Sequence, residues 1–317
     1  MAQVTAAPEQ SIPPSKPLTV RPPDRTLKLE RRLALVVTVL PFIGAVVGIP
    51  FLWNRGVRAL DLTLFFVFYI FTGMGITVGF HRMLTHRSFE TVKPIRVMLA
   101  IAGSMALQGA VVRWVADHRR HHAYTDKPGD PHSPHLEEAE GIKGVLTGLW
   151  HAHTGWFFDP EKTNIRRFAP DLIADKAIRK VDRSFPLLAV LSVVLPGLIG
   201  LAVTRSWMGG LTAFVWGGLA RIFFLHHVTW SINSICHFYG KRPFKSRDLS
   251  TNNWAMALLS FGEGWHNSHH AFPTSYRHGL GRLQFDPSAW FIAGLRKLGL
   301  ATNVKLPTLE QMAAKRA

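Results

Sequence analysis

Apolar residues are concentrated in four long runs, 33–53, 62–80, 185–203 and 208–225. Each approaches the ~20 residues needed to cross ~30 Å of hydrocarbon. Segment 54–61 separates the first two and segment 205–207 the last two. Connectors that short make two helical hairpins. The alternative, core helices of a large soluble protein, fits poorly with four such lengths arranged as two pairs. A fifth apolar stretch, 97–112, is short for a span and carries Gln108, so it reads as a re-entrant or interfacial segment. The pattern predicts an all-α integral membrane protein: four transmembrane helices in two hairpins, with a cytoplasmic helical cap. The expected divisions are a disordered basic tail (1–32), hairpin one (33–80), the first cap part with its interfacial helix (81–184), hairpin two (185–237) and the second cap part (238–317). The Pro-rich tail does not read as a signal peptide, which would need an apolar core within the first thirty residues.

Charge sets the orientation. Basic residues crowd the tail, segment 82–183 and the C-terminal third, whereas the two connectors hold only Arg55, Arg58 and Arg205. By the positive-inside rule both termini and the cap are cytoplasmic, and the expected location is a bacterial inner membrane. The formal charge of +17 is then mostly the cytoplasmic face of a membrane protein lying against anionic lipid. Nucleic-acid binding has little support, since the basic residues follow topology and no recognition motif is present.

Among 317 residues there is one Cys, which excludes a disulfide scaffold and any Cys-ligated zinc or iron–sulfur site, and there are 16 His. Eight of the histidines form three clusters: His81 and His86; His118, His121 and His122; His266, His269 and His270. The second and third have i, i+3, i+4 spacing, which puts three imidazoles on one helix face. The i, i+5 pair of the first diverges by more than a third of a turn on a regular α-helix, so it converges only where the helix bends or ends. Eight imidazoles are too many for one metal. Two adjacent metals are the economical reading, and neutral imidazoles with few carboxylates point to iron. If 97–112 does not cross, all three clusters lie on one membrane face. His237 is a candidate ninth ligand, its spacing equally compatible with an interfacial histidine; Asn233 lies one turn before it. Cys236 points away and reads as a small core residue. A metal transporter is the non-enzymatic alternative, but it would place histidines within the spans.

Three stretches carry a family resemblance: Gly79-Phe-His-Arg-Met-Leu-Thr-His-Arg-Ser-Phe89, Trp114-Val-Ala-Asp-His-Arg-Arg-His-His122 followed by Asp130-Pro-His132, and Phe261-Gly-Glu-Gly-Trp-His-Asn-Ser-His-His-Ala-Phe-Pro273. They closely resemble the membrane fatty acyl-CoA Δ9 desaturases, the stearoyl-CoA desaturase family, in a bacterial-type form without a fused cytochrome domain. The resemblance implies a di-iron centre on His81, His86, His118, His121, His122, His237, His266, His269 and His270, with Asn233 bound through water. It implies a bent acyl tunnel walled by Gln108, Trp114, Thr229 and Trp230, whose methyl end closes near Tyr69 and Phe65, with Tyr69 limiting acyl length. Asp117 and Glu263 are the expected carboxylates that orient imidazoles. Lys162, Arg166, Arg167 and Arg82 are candidates for pairing head-group phosphates.

His226 and His227 depart from the family pattern. His226 lies about 16 Å along the helix from His237, so it reads as tunnel lining or an interhelical bond. His132, His135, His151 and His153 read as loop or supporting residues. The implied reaction is O2-dependent insertion of a cis double bond, Δ9, into a saturated C16–C18 acyl-CoA. The alternatives are the same chemistry on acyl chains of phospholipid, or hydroxylation. The sequence holds no haem-attachment signature or iron–sulfur cysteine set, and neither haem nor flavin is expected in this chain. Electrons are expected from a separate ferredoxin or cytochrome with its NAD(P)H reductase.

Overall fold

The computed structural model describes residues 16–48, 50, 57–135 and 141–317. A short strand, β1 (Thr19–Val20), precedes helix α1 (Asp24–Ile43), which continues as a π-helical turn over Gly44–Gly48. Residues 16–32 are therefore not the disordered tail their composition suggests. β1 pairs with the strand Lys162–Thr163, Leu27 is buried, and Arg31 Nε donates to the Phe158 carbonyl at 3.1 Å. The basic residues are the polar face of a helix, which proline and charge content disguise as solvated chain.

Helix α2 (Ala59–Met74) continues without a break into a π-helix, Gly75–Thr85. Asp61, fully buried, caps its start by accepting from Arg58 N–H and from Thr212 Oγ1, both at 3.0 Å. That one carboxylate joins the start of α2 to the segment around Thr212. After strand β2 (Glu90–Thr91) come α3 (Lys93–Ser104) and α4 (Val111–Tyr124). Residues 97–112 are thus the end of α3, a turn and the start of α4. Leu99, Ala100, Ala102 and Gly103 of α3 are buried. The contact is backbone to backbone: a Cβ on Gly75 would stand 2.1 Å from Gly103 N.

The chain continues through α5 (Gly141–His153), a 3-10 turn Gly155–Phe158, β3 (Lys162–Thr163), α6 (Ile165–Phe168), α7 (Pro170–Ala174) and α8 (Lys176–Arg183). Helices α9 (Phe185–Thr204) and α10 (Trp207–Ala213) form a hairpin that turns at Arg205 in a left-handed conformation, φ 51°. α10 runs on through a π-helical stretch, Phe214–Ala220, into α11 (Arg221–Ser234) and a 3-10 turn, Ile235–His237. The C-terminal part holds α12 (Trp254–Leu259), α13 (His266–Ala271), α14 (Pro287–Lys297), β4 (Ala301–Thr302), which pairs with β2, and α15 (Leu309–Ala314).

Among the described residues three helices are long and apolar enough to cross a membrane: Ala59–Thr85, Phe185–Thr204 and Trp207–His237. The expected first span is not in that set. Its helix begins in charged turns at Asp24, and residues 51–56, with the first three of the 54–61 connector, lie outside those described. The largest cluster of buried side chains, including Val78, Phe80, Phe89, Val111, Val115 and Ile178, lies where the π-helix, α3, α4 and α8 meet. It holds the helices that carry the histidines.

Candidate metal centre

His81 and His86 are brought together by the π-helix. A π-turn closes i to i+5, and the His86 N–H bonds the His81 carbonyl at 3.1 Å. The spacing that diverges on an α-helix therefore brings the two imidazoles edge to face, with ring centroids 4.8 Å apart. On α4 and α13 the i, i+3, i+4 pattern presents its imidazoles inward, as the spacing requires. The 3-10 turn at the end of α11 redirects His237 toward α13, leaving its Nε2 2.9 Å from His266 Nε2.

Nine imidazoles converge as two adjacent groups: His81, His86, His118, His122 and His269 in one, His121, His237, His266 and His270 in the other. Within them His81–His269 and His118–His122 have Nε2 atoms 3.1 Å apart, and His122–His269 2.9 Å. Adjacent nitrogens at right angles on a metal with ~2.1 Å bonds stand ~3.0 Å apart. Two neutral imidazoles can share one proton; five facing inward cannot satisfy one another. His86 Nε2 is buried with no hydrogen-bond partner, a state a metal bond relieves. The donor set therefore fits two metal ions of the imidazole-binding kind. Burial first, then neighbouring imidazoles, hold His118, His122, His266, His269 and His270 well below the ordinary imidazole range. Both causes favour the neutral imidazole, the form that binds metal.

Carboxylates fix four of the rings from behind. Glu263 lies 2.5 Å from His81 Nδ1, Asp130 3.0 Å from His121 Nδ1, Asp126 3.1 Å from His237 Nδ1 and Asp248 2.9 Å from His270 Nδ1. A carboxylate on Nδ1 fixes the tautomer and turns Nε2 toward the centre. Burial pushes Asp130 upward, but His121 beside it holds the carboxyl down at about 2. Asp117 does not act this way. It bonds Thr163 and faces Arg113 and Arg120, and burial raises its pKa. Arg82 cannot reach a head group either. It is fully buried, 2.9 Å from Asp286 and 3.1 Å from Glu263, and it donates to the Tyr276 carbonyl at 2.7 Å.

Sequence reading missed Asp126, Asp248, His278 and Asp286. Asp126 carried one signal, its place one turn after His122. The others come from loops and gave none. His278 stands 3.3 Å from Arg82 and 3.4 Å from Glu263. His132 stacks on His121 at 4.4 Å, and His135 Nε2 is 2.6 Å from the His237 carbonyl.

A small cavity touches the histidines. Its walls include His81, Trp114, His118, Thr229, Trp230 and Asn233. Gln108, also on the wall, donates from Nε2 to Thr229 Oγ1 at 2.9 Å and clamps the α3–α4 turn to α11. Tyr69 and Phe65 line neither described cavity. Their rings stack at 6.1 Å, Tyr69 also packs on Phe224 and Phe261, and its hydroxyl donates to the Leu259 carbonyl at 2.5 Å. His226 on α11 bonds the α3–α4 turn, Nε2 to the Ala106 carbonyl at 2.8 Å, and Cys236 is buried. His227 bonds His153 at 2.9 Å.

Membrane-type helices bearing a buried double cluster of histidines define a class of membrane metalloenzyme. The chain belongs to the fatty acid desaturase family, whose model matches residues 59–286. It is 43% identical over 289 residues to a hex-5-enoyl-[acyl-carrier protein] acetylenase of Moorena producens, covering 91% of this chain and 90% of that protein. It is 37% identical to an sn-1 stearoyl-lipid 9-desaturase of Anabaena variabilis, over 87% of this chain and 95% of that one. It is 41% identical to an acyl-CoA C20 Delta5-desaturase of Anemone leveillei, over 77% and 73% respectively. These names span three acyl carriers: protein thioester, lipid ester and CoA thioester.

Proposed function

We propose that the protein is an O2-dependent desaturase that places a cis double bond, Δ9, in a saturated C16–C18 acyl chain, using two irons on the nine histidines. The convergence of two imidazole groups beside an apolar slot carries this reading. Two bound irons supply, with O2 and two electrons, the oxidant that takes two hydrogens from adjacent unactivated methylenes; two protons complete the balance and both oxygen atoms leave as water. The chain's own residues do the rest. Glu263, Asp126, Asp130 and Asp248 hold the rings in one tautomer and orientation. Trp114 and Trp230 wall the slot, and the Gln108–Thr229 bond sets its width, so that one C–C bond is presented to the metals without any polar handle. Asn233 faces the cavity beside His266, where it can hold a water. The reacting chain reaches this slot on a carrier that stays outside it. The active site and both termini are assigned to the cytoplasm, and electrons to a separate ferredoxin- or cytochrome-type donor.

Anaerobic iron loading followed by turnover with a stearoyl donor, reduced ferredoxin and O2 tests the assignment by mass spectrometry. An 18:1 Δ9 product is expected; a hydroxy acid would replace desaturation with hydroxylation. His269→Ala removes a ligand of the five-histidine group, and both iron content and activity should fall together. Full iron content in that variant would sink the ligand assignment.

A further inference from the structure

A second cavity, of about 640 Å³, adjoins the first, and both have Gln108 and Trp230 in their walls. What holds those two side chains therefore shapes the slot. Trp230 is buried and ringed by other aromatics. One turn earlier on α11, His226 packs its ring on the indole, centroids 4.7 Å apart at 33°. His227 meets the indole edge-on at 5.4 Å, and Phe157 does so at 5.3 Å. His227 is itself bonded to His153 of α5, whose other nitrogen lies 3.0 Å from Ser234 Oγ. His226 lines neither cavity; it stands behind the wall.

Gln108 belongs to the α3–α4 turn, which is tight. The Ala106 N–H bonds the Gly103 carbonyl at 3.1 Å, the Leu107 N–H bonds the Ser104 carbonyl at 3.3 Å, and Leu107 is left-handed, φ 57°. A leucine keeps that conformation only where its surroundings over-determine it. Here they do. The Met105 carbonyl accepts from Ser192 Oγ on α9, and Arg221 donates to that same oxygen at 3.0 Å. The Ala106 carbonyl accepts from His226 Nε2 at 2.8 Å, and Gln108 donates to Thr229 at 2.9 Å. His226 thus joins two walls: its N–H holds the turn while its ring backs the indole. Ser192 shows that a hydroxyl is enough to satisfy a carbonyl of this turn. An imidazole adds a rigid spacer that fixes how far the turn stands from Trp230.

We propose that His226 is a positioning residue that sets the register of the acyl chain in the slot, and so which C–C bond meets the metals. The proposal rests on the desaturase reading and adds a specificity determinant to it. His226 lies about 16 Å along α11 from His237, too far to share its metal, and it acts only through Trp230 and the turn.

Three variants test it. His226→Leu removes donor and ring, His226→Phe removes the donor alone, and His226→Gln keeps an N–H donor. Each is iron-loaded in nanodiscs and supplied with reduced ferredoxin, O2 and either stearoyl-CoA or distearoyl-phosphatidylglycerol in the disc, with double bonds located by mass spectrometry. The wild type should give one positional isomer. The Leu and Phe variants, at full iron content, should spread the double bond over neighbouring positions and lose about tenfold to a hundredfold in kcat, as a displacement of ~1 Å does. His226→Gln should restore most of the single isomer. The wild-type isomer alone from the Leu and Phe variants overturns the proposal, as does scatter that His226→Gln leaves as wide as His226→Leu. Independently of turnover, iron-free protein labelled with fluorotryptophan should give one sharp fluorine NMR signal for Trp230, assigned with Trp230→Phe. That signal should broaden or split in His226→Leu and His226→Phe; an unchanged signal overturns the proposal. If the wild type desaturates neither donor, the desaturase reading falls, and the Trp230 signal still decides whether His226 holds the wall.

Discussion

Arg82 and Arg166 look interchangeable as basic residues, yet burial separates them. Arg82 is fully buried between Glu263 and Asp286, so Arg82→Met leaves two carboxylates uncompensated beside a ligand. It should lower stability by about 3–5 kcal/mol, measured by thermal unfolding, whereas Arg166→Met, on an exposed residue, should stay within about 0.5 kcal/mol. Equal effects would show that the buried network does not hold the site. Tyr69 belongs to the same scale. Its ring sits among Phe65, Phe224 and Phe261, on the helix that carries His81. Tyr69→Ala should shift the preferred acyl chain to greater length, read from products of a mixed-chain substrate; an unchanged preference would remove Tyr69 from chain-length control. The ligands were legible as residues because imidazole clusters are rare and their spacing is periodic. Of the carboxylates behind them Glu263 was legible within its motif, but Asp126 and Asp248 were not, since they reach rings 111 and 22 residues away.

At the scale of elements, the π-helix decides whether the first cluster works. An α-helix would turn His81 and His86 apart; the wider π-turn closes them. Its packing depends on Gly75, where a Cβ would stand 2.1 Å from Gly103 N and 2.3 Å from the Ala102 carbonyl carbon. Backbone atoms cannot yield as a flexible side chain does. Gly75→Ala should therefore cost about 1–3 kcal/mol and reduce bound iron, checked by unfolding and metal analysis; normal stability with full iron would show that the helix pair tolerates separation. Apolar periodicity revealed that helices exist here, but not where they begin and end. It divided α1 between a tail and a span because charges dominate its first turns, and it merged the end of α3, a turn and the start of α4 into one stretch.

Across the whole molecule, ion pairs tie the cap together beyond the metal site. Asp171 lies 2.6 Å from Arg119 and 2.7 Å from Arg87, joining α7, α4 and the end of the π-helix. Burial pushes its carboxyl up, but the hydrogen bonds from Arg119 and Arg87 prevail and hold it well below the ordinary range. The folded state therefore binds this proton more weakly than the unfolded chain does. Its contribution is complete above about pH 4, the unfolded carboxylate range, and is lost as pH falls below it. Asp171→Asn should flatten that acid limb of the stability profile, measured as Tm against pH. An unaltered limb would show that the pair contributes nothing.

The sequence by itself determined the membrane class, three clusters holding eight candidate ligands and, through its motifs, the family and the ninth candidate, His237. Each of these depends on local composition, or on spacing within one helix. Only the tertiary structure decided how the ligands divide into five and four, which carboxylates fix them, and what holds the slot beside them. Those properties arise between segments distant in the chain. Whether a charge is sealed in a core or left at a surface depends on what packs against it, and no one-dimensional pattern records that.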